Sequence, residues 1–171
     1  MNTLVEVFHP ALSTGSVVNR ALAQAAGTVD GVQVRDEYAL YPNFQIDVAA
    51  EQEALAWADR IVWQFPMYWY SSPALLKQWE VMVLSYGWAY GTNFALEGKE
   101  LMIAVSCGAD RDKYREDGEY GVNGSDLLLP FKTTARYTKM QWAQPFVVHS
   151  AMNISDAQVQ AACEEYVQRL Q

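Results

Sequence analysis

Between Asp59 and Gly91 the sequence runs DRIVWQFPMYWYSSPALLKQWEVMVLSYGWAYG, and no other stretch restricts the fold so tightly. Arg60 to Phe65 is nearly all apolar, β-branched or aromatic, the composition of a strand covered on both faces. Pro66 stops it. Met67, Tyr68, Trp69, Tyr70, Ser71 and Ser72 then form a turn, and Pro73 suits the first turn of a helix carrying Leu75, Leu76, Trp79, Met82 and Val83. A strand buried on both sides belongs to a parallel sheet, and such sheets bind ligands at the carboxyl ends of their strands. Aromatic side chains crowded into such a turn point to a flat, conjugated ligand. The alternative reading is that they only pack together or form a subunit interface.

The remaining chain repeats the alternation. Leu4 to Phe8 reads as a strand, HPALSTGSVVN as a loop, and NRALAQAAG as a helix that Gly27 closes. A helix starting near Ser16 or Val17 turns its free N–H groups toward the end of that strand, a geometry that accepts phosphate. Ser16 as a plain helix cap and Asn19 as a solvated residue is the competing reading. The loop has neither the Walker lysine motif nor a GxGxxG fingerprint, which argues against a nucleotide triphosphatase or a dinucleotide-first Rossmann domain. Gly31 to Glu37 alternates as a second strand, and Asp47 caps a helix reaching Trp57. Glu100 to Cys107 is the fourth strand. The polar segment GADRDKYREDGEYGVNGSD after it has the length of a functional loop. Leu127 to Lys139 is helical, Gln144 to His149 is a short fifth strand, and Ser155 caps a last helix running to Leu170.

Five strands alternating with helices in one domain, residues 1–171, predict an α/β three-layer sandwich. The hydroxyl-rich first loop favours the flavodoxin-like strand order 2-1-3-4-5 with helices on both faces. That order brings HPALSTGSVVN, PMYWYSS and SCGADRDKY to one sheet edge, a phosphate cradle beside two walls for a ring, and so predicts FMN. A net charge of −8 disfavours nucleic acid as a partner. No apolar run reaches the roughly 18 residues that span a bilayer, and MNTLVEVFHP lacks a secretory pattern, so a cytoplasmic protein is expected. Two cysteines, Cys107 and Cys163, and two histidines, His9 and His149, make no metal cluster.

These motifs resemble those of the flavodoxin-like NAD(P)H:quinone oxidoreductases, over nearly the whole chain. HPALSTGSVVN, ADRIVWQFPMYWYSSPALLKQW and GWAYG carry the likeness. LYPNFQIDVAAEQEAL, Leu40 to Leu55, is similar to the small bacterial branch that contains the ancillary subunits of glutathione-gated potassium efflux systems. The resemblance implies that His9, Ser16, Val17, Val18 and Asn19 hold the FMN phosphate and ribityl chain. It implies that Met67, Tyr68, Trp69 and Tyr70, with Pro66 before them, line the isoalloxazine, and that Ser106, Cys107, Gly108 and Ala109 flank its pyrimidine side. Those last four stand where the family has Thr-Thr-Gly-Gly, which matters if the alanine position needs a positive φ. Tyr114 matches a tyrosine near the nicotinamide and quinone pocket. A histidine of the larger members has no counterpart between Arg111 and Asp126, leaving its role vacant or to Tyr120. The implied activity is a two-electron reduction of a quinone by NADH or NADPH, in a homodimer with Trp69, Trp79, Trp88 and Tyr90 at or near the interface. The alternative is a regulatory subunit on a membrane potassium-efflux protein, peripheral to the inner face of the membrane, and both roles can coexist. A one-electron flavodoxin carrier fits the fold and acidity but not the aromatic loop.

Overall fold

The computed structural model describes residues 1–171. Its centre is a parallel sheet built from β1 (Thr3–Val7), β2 (Val32–Asp36), β3 (Arg60–Pro66) and β4 (Glu100–Ser106), in the order β2-β1-β3-β4. Two short strands, β5 (Gln141–Trp142) and β6 (Phe146–Val148), both lie along the outer side of β4. The period-2 alternation of each strand sends its apolar residues to two cores. Leu4, Ile61, Trp63, Phe65, Leu101 and Ile103 enter one of 24 buried residues, and Val5, Val7, Val62, Met102 and Ala104 enter a second of 12.

Helices α3 (Glu37–Leu40), α4 (Val48–Trp57), α5 (Ala74–Val83) and α6 (Leu129–Tyr137) lie in the connections around the larger core. Buried residues of the last three, among them Leu55, Trp79 and Phe131, belong to it. Helices α2 (Val18–Ala26) and α7 (Asp156–Leu170) cover the smaller one through Leu22, Ala26, Tyr166 and Leu170. The layers and strand order are those expected from the sequence. Both expected caps are present, Asp47 accepting the Ala50 N–H at 3.1 Å and Ser155 forming a reciprocal capping box with Gln158.

Four details differ from the sequence expectation. The fifth strand is two pieces, because Pro145 has no N–H for the ladder and separates Gln141–Trp142 from Phe146–Val148. Helix α6 is shorter than Leu127 to Lys139. Residues Asp126–Leu128 make a 3-10 turn, and Lys139, at φ 61°, has left the helical region. Helix α2 begins at Val18, after a separate helical turn α1 (Leu12–Gly15). Trp79 is not an interface residue: it is fully buried, edge-on to Phe8 and Trp63, and its indole N–H donates to Glu51 Oε2 at 2.9 Å. Trp88 and Tyr90 are half-buried against the larger core, whereas Trp69 is 93% exposed.

Candidate active site

The carboxyl ends of β1, β3 and β4 meet at one edge, as successive parallel strands with right-handed crossovers require. Three loops leave from it. The first, after β1, holds His9, whose Nδ1 accepts the Ala11 N–H at 3.1 Å. In the neutral ring that bond places the proton on Nε2, leaving a donor for a ligand. Burial pushes the His9 pKa down, against the pull of Asp36, so neutral imidazole is the favoured form near neutral pH. Ser16 is buried, its Oγ accepting the Arg20 N–H at 3.3 Å. The N–H groups of Ser16 and Val17 bond nothing within the chain, and the first N–H groups of α2 have no intrahelical acceptor. His9, Ser16, Val17, Val18 and Asn19 are thereby gathered around one helix start with several free donors.

Asn19 ties this loop to the other two. Its Nδ2 donates to Ser106 Oγ at 2.8 Å, and its backbone oxygen accepts Gln64 Nε2 at 2.8 Å. Asn19 Oδ1 and Gln64 Oε1 are buried without partners. Buried acceptors left open beside a row of open donors are what a site prepared for a polyhydroxylated, anionic ligand presents.

The second loop turns sharply at Trp69 and Tyr70. Tyr68 and Ser71 exchange two backbone hydrogen bonds of 3.0 Å, and the two residues between them have φ of 48° and 62°. Each left-handed non-glycine residue costs about 1 kcal/mol, and strain of this kind is concentrated at ligand sites. The Trp69 and Tyr70 N–H groups make no hydrogen bond within the chain. The loop's offering is therefore backbone donors as much as rings. Pro66 is the last residue of β3, and the following N–H, of Met67, bonds Ser106 O at 2.8 Å.

The third loop, Cys107 to Ala109, is zipped to residues 148–152. Cys107 N–H reaches Val148 O, and Cys107 O, Gly108 O and Ala109 O accept from Ala151, Met152 and Ser150. Ala109 is absent from the left-handed residues, so alanine in place of glycine carries no strain there. The Cys107 thiol is buried and pushed up to about 11 by that burial, with the neighbouring Tyr114 phenol acting in the opposite direction. Burial, then the neighbouring Cys107, pushes the Tyr114 phenol up to about 12. Both are neutral groups.

Met67, Trp69, Tyr70, Gly108, Ala109, Tyr114, Tyr120 and Met152 line a slot of about 210 Å³ between the second and third loops. Tyr120 packs edge-on to both Tyr70 (5.4 Å) and Tyr114 (5.1 Å), closing one end. A wider cleft of about 980 Å³ shares Met67 and Tyr114 and extends past Cys107 and His149 toward the sheet edge. The sequence reading missed two contributors. His149 sits 5.5 Å from the Tyr114 ring with its pKa lowered by burial and by Arg111, and Met152 forms a wall of the slot. His149 follows β6 directly, so the strand assignment contained the signal. Met152 had none, because its place depends on backbone bonds between loops.

The chain is 47% identical to an uncharacterized NAD(P)H oxidoreductase, YrkL, of Bacillus subtilis over 171 residues, covering 99% of this chain and 98% of that protein. It is 47% identical to the glutathione-regulated potassium-efflux system ancillary protein KefF of Klebsiella aerogenes, over 91% of this chain and 87% of KefF. Among solved structures it is similar to general stress protein 14 of Treponema denticola in complex with FMN, with TM-score 0.92, 39% identity and full coverage of both chains. It is similar to an NADPH-quinone reductase from P. pentosaceus, with TM-score 0.91, 33% identity, and 100% and 98% coverage. A chain described as a thermophilic tryptophan halogenase from Streptomycin violaceusniger has TM-score 0.93 and 43% identity over 95% of each chain. The profile described as Flavodoxin-like fold matches residues 1–170, and with relatives of this identity across nearly all its length the chain belongs to that family.

Proposed function

We propose that this protein binds FMN at the junction of the three loops and carries out two-electron transfer from NADH or NADPH to a quinone. The observation that carries the reading is the row of unpaired groups along one edge. It comprises helix-start N–H groups and His9 for a phosphate, the open Oδ1 of Asn19 for ribityl hydroxyls, and the free N–H groups of Trp69 and Tyr70 for a ring. The FMN-bound relative and the reductase names of two others support it. The halogenase description of one structural relative, 43% identical, is not carried over, because relatives of 47% identity bear the oxidoreductase and ancillary-protein names.

FMN supplies the hydride-accepting and hydride-donating ring when bound. The chain does the rest. Helix-start donors neutralise the phosphate, and loop N–H groups are preorganised to stabilise charge on the reduced ring. Ser106, Cys107, Gly108 and Ala109 form the opposite wall. Tyr114 retains its proton across the physiological range and is a neutral donor for a quinone oxygen, with Tyr120 beside it. Release and identification of a bound flavin, then NAD(P)H oxidation with and without a quinone, test the reading. A protein that neither holds nor takes up FMN refutes it.

A single domain over 1–171 and a homodimer joined near the turn are part of the same reading. The exposed ring of Trp69 and the exposed Val81, Met82 and Tyr86 on α5 and just beyond it support the latter. Trp88 and Tyr90 are placed at its margin. A second reading, compatible with the first, is an ancillary subunit on the cytoplasmic face of a potassium-efflux protein. Its specific support is the KefF likeness together with Leu40 and Phe44, exposed in the segment Leu40 to Leu55. No helix is long and apolar enough to cross a membrane. Co-purification with such a transporter, and efflux that needs this protein, are the expected results; efflux unchanged on deletion rejects it.

A further inference from the structure

Glu6, Glu37 and Glu51, from β1, α3 and α4, are each fully buried, and carboxylate oxygens of all three lie within 4.8 Å of one another. Donors are few. Glu51 accepts from the Arg35 guanidinium, from the Tyr41 hydroxyl at 2.5 Å and from the Trp79 indole at 2.9 Å, so both its oxygens are used. Glu37 Oε1 accepts Arg35 Nε at 3.3 Å, and Glu6 Oε2 accepts the Trp63 indole at 3.0 Å. Glu6 Oε1 and Glu37 Oε2 are buried with no partner. Three carboxylates thus share one cation, in a core lined by two tryptophans.

That balance is untenable with all three ionised, since the packed interior cannot solvate the excess charge. Two protons or one divalent cation would restore neutrality. The geometry favours protons. A cation would find one open oxygen on Glu6 and one on Glu37, with Glu51 saturated and the Arg35 guanidinium against the site, far short of the oxygen shell a hard cation needs. We propose that Glu6 and Glu37 are neutral carboxylic acids in the native protein and form a buried proton site whose ionisation at alkaline pH loosens the packing of α3 against β1. Protonation turns each unpartnered oxygen into a neutral O–H donor among neighbouring carboxyl oxygens, and Glu51 keeps the single negative charge opposite Arg35.

The charged and titratable groups around the pair are Arg35 and Asp36 of β2, Glu51 of α4 and Tyr41 after α3; β3 and α5 contribute only the indoles of Trp63 and Trp79. Burial first, then neighbouring carboxylates, pushes Glu37 up to about 8 and Glu6 well above its ordinary value. Both shifts are upward, so the stability they contribute is fully present at low pH and is lost progressively as pH rises, for Glu37 through about 8. The site lies just behind the flavin edge: Glu6 is three residues before His9, and Asp36 caps α3 through the Ala39 N–H.

The test needs no flavin and is read on the ligand-free protein. Denaturant unfolding near pH 7 and near pH 9 should show wild type losing roughly tenfold in its folding equilibrium constant from Glu37, with a further loss in the same direction from Glu6. Glu37→Gln and Glu6→Gln, which mimic the neutral acid in shape, should each remove their share of that loss. A protonated-carboxyl infrared band in wild type at neutral pH, diminished in either variant, is the second expectation, and the wild-type band is read even if a variant fails to fold. Variants as pH-dependent as wild type, or absence of the band, overturn the proposal. So does a loss of stability on chelation that Mg²⁺ or Mn²⁺ restores, which would make this a cation site.

Discussion

Replacing Asn19 with alanine separates a residue that only braces the loops from one that also receives the cofactor. In the ligand-free protein the substitution removes the 2.8 Å bond to Ser106 Oγ, and a buried hydroxyl deprived of a partner costs about 1–3 kcal/mol. It also removes Asn19 Oδ1, already buried and unpartnered, whose standing penalty has the same magnitude. The two nearly cancel. The Gln64 bond to the Asn19 backbone oxygen is untouched. Thermal stability without ligand should therefore move by about 1 kcal/mol or less, roughly 2–4 °C for a chain of this size. With FMN the cancellation fails, because a ribityl hydroxyl loses its acceptor. One net hydrogen bond of about 1.4 kcal/mol is tenfold in Kd. Flavin fluorescence quenching gives the affinity and calorimetry of the ligand-free protein gives the stability. An unchanged Kd with a large loss of ligand-free stability would refute the reasoning and leave Asn19 a structural clasp. Ser106→Ala is the complementary control, since it leaves Asn19 Nδ2 a second orphan and should cost stability that Asn19→Ala does not.

Three further outcomes are expected. Tyr114→Phe should lower turnover with a quinone roughly tenfold, the worth of one donor, while leaving flavin affinity unchanged, as steady-state kinetics beside a flavin titration will show. Trp69→Gly should raise the melting temperature of dilute protein by roughly 2–4 °C, because glycine removes about 1 kcal/mol of left-handed strain at φ 48° and the exposed ring loses little. Light scattering of that variant should show a weakened dimer. Trp79→Phe should cost about 2–4 kcal/mol, from lost volume and the orphaned Glu51 Oε2, and should leave the oligomeric state unchanged.

How far the sequence could be read depended on whether a property was local or relational. The strand Arg60 to Phe65 was legible because burial on both faces requires a nearly continuous apolar run, and that run also placed the ligand edge. Asp47 and Ser155 were legible as caps because their bonds close within three residues. That the loops from His9 to Asn19 and from Met67 to Tyr70 meet at one edge follows from strand order alone. The zipper between Cys107–Ala109 and residues 148–152 joins segments about forty residues apart, so Met152 had no local sign, whereas His149 could be placed at the sheet edge from its position after β6 but not beside Tyr114.

Trp79 shows the same limit from the other side. Its spacing on α5 suits either an interface or a core, and what decides is Glu51, 28 residues away, whose carboxylate needs the indole N–H. Polar residues inside apolar strands are where such decisions are made. Glu6 in TLVEV and Gln64 in RIVWQFP interrupt runs that a buried strand would fill with hydrocarbon. Each lies on a different face, Glu6 toward Trp63 and the other buried carboxylates and Gln64 toward Asn19 and the edge where the three loops meet. A buried polar residue must be satisfied by something. For Gln64 the unsatisfied remainder faces an edge where a ligand can supply it, and for Glu6 the surroundings are hydrocarbon and other carboxylates, where a proton is the smallest group able to do so.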